Sequence, residues 1–225
     1  LLTGGWLQTR WHFSFDDYYD PDNVRWGPLR VFNDDVVLPG GGFEMHPHRD
    51  MEIITILLDG TLEHRDSLGN RGLLRRGEVQ VMSAGRGILH SEFNPSPDEA
   101  LHLLQLWILP RTRGAEPRWE QKLFPLSERA GRLLPVVVPR EATQPPGALR
   151  IDQDAFVYPS NLSSGQELSH HAAVRRKAYA FVISGAVTLN DERLEAGDQA
   201  RISDEEALRI RAEQASELIL LDLPQ

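Results

Sequence analysis

No long stretch of this chain keeps the 3.6-residue apolar period of an amphipathic helix. Short β-branched and apolar runs are instead cut by eighteen glycines and fifteen prolines in 225 residues. That pattern reads as sheet. Strands are expected at Met51 to Leu58, Thr61 to Arg65, Val79 to Ser83, Leu101 to Leu109, Tyr179 to Ser184, Ala186 to Leu189 and Leu218 to Leu223. Asp66-Ser67-Leu68-Gly69-Asn70 and Asn190-Asp191 sit between such runs and carry the residues that tolerate turn geometry, as antiparallel hairpin connectors do. One short helix is expected near Pro125 to Ala130.

The two halves of the chain repeat. Gly40, His46 and Gly60 recur at an offset of 125 as Gly165, His171 and Gly185, and Gly77 and Ser83 recur at 120 as Gly197 and Ser203. The Pro-rich stretches Pro110 to Pro117 and Pro139 to Pro146 lie between the halves. Duplication of one small β-barrel is the simplest architecture, with domains expected at 1–118 and 119–225. The fold class is therefore all-β, two barrels in one chain.

Composition limits the chemistry. With 40% hydrophobic and 25% charged residues the chain is an ordinary globular protein. A formal charge of −9 without a basic cluster argues against direct nucleic acid binding. No apolar stretch approaches the ~20 residues of a membrane span, and a cytoplasmic location is expected. The chain opens on Leu1 rather than Met, so a short N-terminal piece is expected to be missing. There is no cysteine, so any metal must be held by His, Asp or Glu.

Two segments offer such ligands. His46-Pro47-His48 places two imidazoles at i and i+2, on one face of a strand. His90-Ser91-Glu92 repeats the spacing after the glycine-rich turn Ser83 to Gly87. Three nitrogens and one carboxylate suit iron, nickel, copper, zinc, cobalt or manganese, and in an octahedral ion leave two positions open. Glu52, four residues after His48, shares that face if the strand runs on uninterrupted. His64 and Gln105 are read as barrel-lining packing residues, and His12 and His102 as satisfied histidines. Phe43, Met51 and Phe93 are candidate walls. Through the repeat, His46, His48, His90 and Glu92 become His171, Ala173, Ile210 and Ala212, so the second barrel is expected to be metal-free, with His170 or His171 structural.

At these residues the sequence resembles the pirin family of bicupins. The first cupin motif reads Gly40, five residues, His46-Pro47-His48, three residues, Glu52, then Gly60. The second reads Gly77, five residues, Ser83-Ala84-Gly85, four residues, His90, three residues, Asn94. Ser83 stands where cupins usually carry Pro, and the gap to the histidine is longer, as in pirins. The strings WGPLRVFNDD, HPHRDMEIIT, DSLGN, AGRGILHSEFNP and LHLLQLWILP are pirin-like, within about the first 110 residues.

The resemblance implies two cupin barrels face to face. It also implies a metal only in the N-terminal one, held by His46, His48, His90 and Glu92, whereas cupins in general often draw the carboxylate from the first motif, here Glu52. It implies one divalent transition metal, Fe(II) foremost, with Ni, Co, Mn, Cu or Zn compatible. Bacterial pirin-like proteins are similar to quercetin 2,3-dioxygenases, so a flavonol and O2 are the expected substrates, with Glu92 and Glu52 as candidate catalytic carboxylates. Other pirins resemble metal-sensing regulators that bind transcription factors, so a protein partner is the competing expectation. A third is another cupin reaction on an enediol or catechol.

Overall fold

The structure, a computed structural model, describes residues 2–143, 145–173 and 175–225. Residue 144 of the expected 139–146 link lies outside the described residues. The chain divides into two compact units, Leu1–Leu123 with Ile151–Gln153, and Phe124–Arg150 with Asp154–Gln225. Both are built of strands, as the glycine and proline punctuation implied. The expected helix is a single 3-10 turn, Leu126–Arg129. No helix among the described residues is long and apolar enough to cross a membrane.

In the first unit the strands are β1 (Leu2–Gly4), β2 (Leu7–Trp11), β3 (Leu29–Val37), β4 (Gly42–His48), β5 (Glu52–Asp59), β6 (Thr61–Asp66), β7 (Arg71–Arg75), β8 (Glu78–Ser83), β9 (Ile88–Phe93), β10 (Leu101–Ile108) and β11 (Arg118–Leu123). They form a seven-stranded sheet, β1-β2-β3-β10-β5-β8-β11, and a four-stranded sheet, β4-β9-β6-β7. All pairings are antiparallel. The β6 to β7 hairpin closes where the sequence placed it. The Asp66 carboxylate accepts from the backbone N–H of Leu68 and Asn70, and Gly69 takes the left-handed conformation the turn requires (φ 90°).

Alternation along the strands builds the interior in layers. One apolar cluster contains Val37, Leu57, Leu62, Leu74, Leu101 and Leu103. Another contains Ile53, Met82, Ala84 and Ile88, with Met51, Trp107 and Trp119 packed against it. Stepping two residues along each strand leads from one cluster to the other through a polar residue. On β5 the sequence is Ile53, Thr55, Leu57, and on β10 it is Trp107, Gln105, Leu103. Asn33, Gln105, Thr55 and Gln80 lie directly opposite one another across β3, β10, β5 and β8, and all are buried. Burying a polar row costs free energy unless hydrogen bonds offset it, so this layer must have polar partners opposite it.

The second unit carries β12 (Val137–Pro139), β13 (Leu149–Ile151), β14 (Phe156–Leu162), β15 (Glu167–His171), β16 (Arg176–Ser184), β17 (Ala186–Leu189), β18 (Glu192–Glu195), β19 (Gln199–Ser203), β20 (Ala207–Ala212) and β21 (Ser216–Pro224). Its sheets are ordered β13-β12-β14-β21-β16-β19 and β15-β20-β17-β18, the second matching the arrangement of β4-β9-β6-β7. One apolar cluster in it contains Ala178, Ala180, Val182, Leu208, Ile210, Ala212, Leu218 and Leu220.

Candidate metal centre

The partners of the polar layer come from the four-stranded sheet. On β9, His90 and Glu92 point inward, with 1% and 2% of their surface exposed. On β4, His46 lies directly opposite His90 and His48 opposite Ile88. The strands approach closely at Gly42, where a Cβ would collide with the Glu92 carbonyl oxygen. β4 holds one residue more than β9 between Phe43 and His46, a bulge that re-aims the following side chains.

The rings of His46, His48 and His90 converge, with centroids 4.4 Å (46 to 90), 4.8 Å (46 to 48) and 4.8 Å (48 to 90) apart. One ligand atom from each lies within 4.8 Å of the others, and the same holds for His64, His90 and Glu92. The two groups share His90. His64, read from the sequence as packing, therefore borders the centre. Both its ring nitrogens are engaged, Nε2 with Asp66 at 3.2 Å and Nδ1 with the Gln80 amide at 3.4 Å.

The other imidazoles differ. Nε2 of His48 and both ring nitrogens of His90 are buried without a hydrogen-bond partner among the described residues. Nδ1 of His46 lies 2.6 Å from the Glu44 carbonyl oxygen, which can only accept, so in the neutral ring the proton sits on Nδ1 and the lone pair on Nε2. Burial, reinforced by the neighbouring imidazoles, holds His48 and His90 down to about 3, so both rings are unprotonated at neutral pH. Several convergent lone pairs with no donor to satisfy them suit a divalent cation, and the imidazole and carboxylate donors suit a first-row transition metal.

Glu92 is held from two sides. Gln105 Nε2 donates to Oε2 at 2.7 Å and the Thr55 hydroxyl to Oε1 at 3.4 Å. Gln105, Thr55 and Gln80 were not legible as site residues from motif spacing. The signal available was a polar residue at an inward position in the middle of an apolar run.

Glu52 does not share the face of the histidines. β4 ends at His48 and β5 begins at Glu52, with Asp50 between them in the left-handed region (φ 48°), so alternation does not carry across. Thr55 faces Glu92, and Glu52, an odd number of residues away on an unbroken strand, points to the other side. There it accepts from the Ser83 hydroxyl at 2.6 Å and from the Asp152 backbone N–H, and burial pushes its carboxyl above the ordinary range. Phe93, expected as a wall, also turns outward, onto a surface groove shared with Met45, Arg65 and Ser91. Phe43 lies 6.3 Å from the His46 ring and Met51 packs in the apolar cluster. His102 bonds Asp34 at 2.5 Å and His12 stacks on Phe32, as satisfied histidines do.

Two strand-built units, one with convergent imidazoles inside its barrel, define a bicupin with a candidate metal centre in the N-terminal unit. The family model described as Pirin matches residues 1–108, and one described as Quercetinase C-terminal cupin domain matches 136–223. The chain is 45% identical to quercetin 2,3-dioxygenase of Escherichia coli K12 over 98% of this chain and 93% of that one. It is 44% identical to a pirin-like protein of Caulobacter vibrioides over 97% and 93%. The crystal structure of YhhW from Escherichia coli superposes with a TM-score of 0.93 at 43% identity, covering 99% and 93% of the two chains. A nickel(II) complex of that bacterial pirin superposes with a TM-score of 0.92 at 43% identity, covering 99% and 94%. The chain belongs to the pirin family.

Proposed function

We propose that the chain is a metal-dependent dioxygenase that opens the central ring of quercetin or a related flavonol with O2 and releases carbon monoxide. The observation that carries this reading is the set of unpartnered imidazole nitrogens beside a fixed carboxylate, in a chain 45% identical to a quercetin 2,3-dioxygenase. His46, His48, His90 and Glu92 would hold the ion, and His64, its nitrogens already engaged, would support the ring of His90. The N-terminal unit is then the catalytic one and the C-terminal unit is metal-free. A bound divalent metal would supply Lewis acidity, lowering the pKa of a hydroxyl presented to it.

The chain's own groups do the rest. Glu92 receives the proton of the flavonol hydroxyl, held in place by Gln105 and Thr55. Trp107, edge-on to His48 at 4.8 Å, and Phe43 provide apolar surface for an aromatic substrate and keep water from the imidazoles. Fe(II) is the ion the resemblance implies. Nickel stands above it in the affinity order, so the metal found after purification need not be the working one.

Carbon monoxide release from quercetin in air tests this, with protein reconstituted separately with Fe(II), Ni(II), Co(II), Mn(II) and Cu(II). Metal-dependent release is expected, abolished in His48→Ala and Glu92→Ala and retained in Glu52→Ala. Stoichiometric loading with no release for any metal would overturn flavonol cleavage. The second reading, a metal-responsive interaction protein, is favoured by the outer side of the ligand-bearing sheet. There Met45, Leu73 and Leu89 are exposed beside a groove of about 390 Å³ lined in part by Glu63 and Arg65.

A further inference from the structure

The geometry points to Gln105 as a positioning residue for Glu92, one that ties the carboxylate to the indole of Trp107. This rests on the reading of Glu92 as a ligand. Gln105 is buried, and its amide is engaged at both ends: Oε1 accepts from Trp107 Nε1 at 3.2 Å and Nε2 donates to Glu92 Oε2 at 2.7 Å. An indole N–H can only donate, so the end of the amide facing Trp107 is its oxygen. The NH2 is therefore the end facing Glu92. The orientation of the amide follows from chemistry and leaves no second arrangement in which both bonds survive.

Trp107 is half-buried. Its ring lies 4.8 Å from His48 and 5.3 Å from Phe15, both edge-on, and Phe15 in turn lies 5.4 Å from Trp11. The indole is thus seated by two edge-on aromatic contacts, and its N–H fixes the amide. Gln105 is directly opposite Thr55 across the β10 to β5 pairing, and Thr55 supplies the bond to the other oxygen of Glu92. The carboxylate is gripped at both oxygens by adjacent residues of one sheet, while Glu92 itself belongs to the other. A shift of the Trp107 ring, by an aromatic ligand stacking on it for example, is passed through one amide to Glu92.

Groups that orient a metal ligand typically change affinity about 10- to 100-fold when removed. Co(II) titration of the full chain, followed by its visible absorption, reads the effect without any substrate. Gln105→Leu is expected to weaken Co(II) binding about 10- to 100-fold and to change the Co(II) spectrum. Trp107→Phe, which keeps a ring and removes the N–H, is expected to move the spectrum in the same direction with a smaller loss of affinity. A Gln105 that only packs would lower the melting temperature and leave the spectrum unmoved, and that result overturns the proposal. His48→Ala separates the two levels. If it loses Co(II) while Gln105→Leu binds like the parent, the role of Gln105 falls alone, and if His48→Ala also binds like the parent, the ligand reading falls and takes this proposal with it.

Discussion

The two barrels put different chemistry on equivalent inner faces. In the first, the rings of His46, His48 and His90 meet, and buried nitrogens of His48 and His90 are satisfied by no described group. In the second, the inward histidine is satisfied. His170 Nε2 bonds Asp222 at 2.8 Å, the Arg176 guanidinium bonds the other oxygen of Asp222, and Arg176 also pairs with Asp154 at 2.8 Å. Around them Leu208, Ile210 and Ala212 fill with hydrocarbon the strand that carries His90 and Glu92 in the first barrel. A histidine inside a barrel is thus uninformative until its nitrogens are accounted for. Lone pairs left over mark a ligand site, and a closed network marks packing.

The largest test of that contrast is metal stoichiometry. His90→Ala should bring bound metal close to zero by elemental analysis after Co(II) loading and desalting, while His170→Ala should leave it unchanged. Equal losses would erase the distinction between the barrels.

Next comes stability. Asp222→Ala leaves His170 and Arg176 without their shared partner and should destabilise the chain by about 3 kcal/mol in urea unfolding, with metal content intact. Burial pushes Asp222 up, yet the bonds from His170 and Arg176 outweigh it and hold its carboxyl below the ordinary 3.8. Its contribution is present above that value and is lost as pH falls through the lower folded one.

The smallest effect should be a pH slope of opposite sign from the first barrel. Asp35 is buried, and burial outweighs the Thr9 hydroxyl bond, with Asp34 and Glu92 adding to the rise, to bring its carboxyl to about 7. The native chain holds that proton between pH ~4 and ~7 when the unfolded chain does not, so stability should fall as pH rises across this window. Asp35→Asn should flatten the slope in urea unfolding at pH 5 and pH 8. An unchanged slope would show that Asp35 carries no such linkage.

Much of this was legible from residues alone. The strand runs, the Asp66 turn and the i, i+2 spacing of His46, His48, His90 and Glu92 each obey a local rule, and local rules survive folding. What failed needed knowledge of where a strand is interrupted. Glu52 faces away because Asp50, not a glycine, takes the left-handed turn ahead of it, and nothing in the sequence announces that. The repeat likewise pointed to His171, which is exposed, whereas His170 is the inward residue. The extra residue of the β4 bulge has no counterpart in the uninterrupted register of β15, and that shifts the count by one. The polar row Asn33, Gln105, Thr55, Gln80 exists only once four strands are in register, since its members are scattered over 72 positions (105 − 33).

The short return of Ile151–Gln153 into the first unit also bears on synthesis. Asp152 accepts from the backbone of Arg111 and Thr112 and donates to Glu52, and Gln153 Nε2 donates to the Leu109 carbonyl at 2.7 Å. Those bonds are out of reach of a nascent chain that has just finished β11. The ribosome must add a further thirty residues (153 − 123), some seconds of elongation at ~5–20 residues per second, before the N-terminal unit has all its own hydrogen-bond partners. The half that carries the imidazoles is first to be made, yet its last contacts wait for chain that comes after the second half has begun.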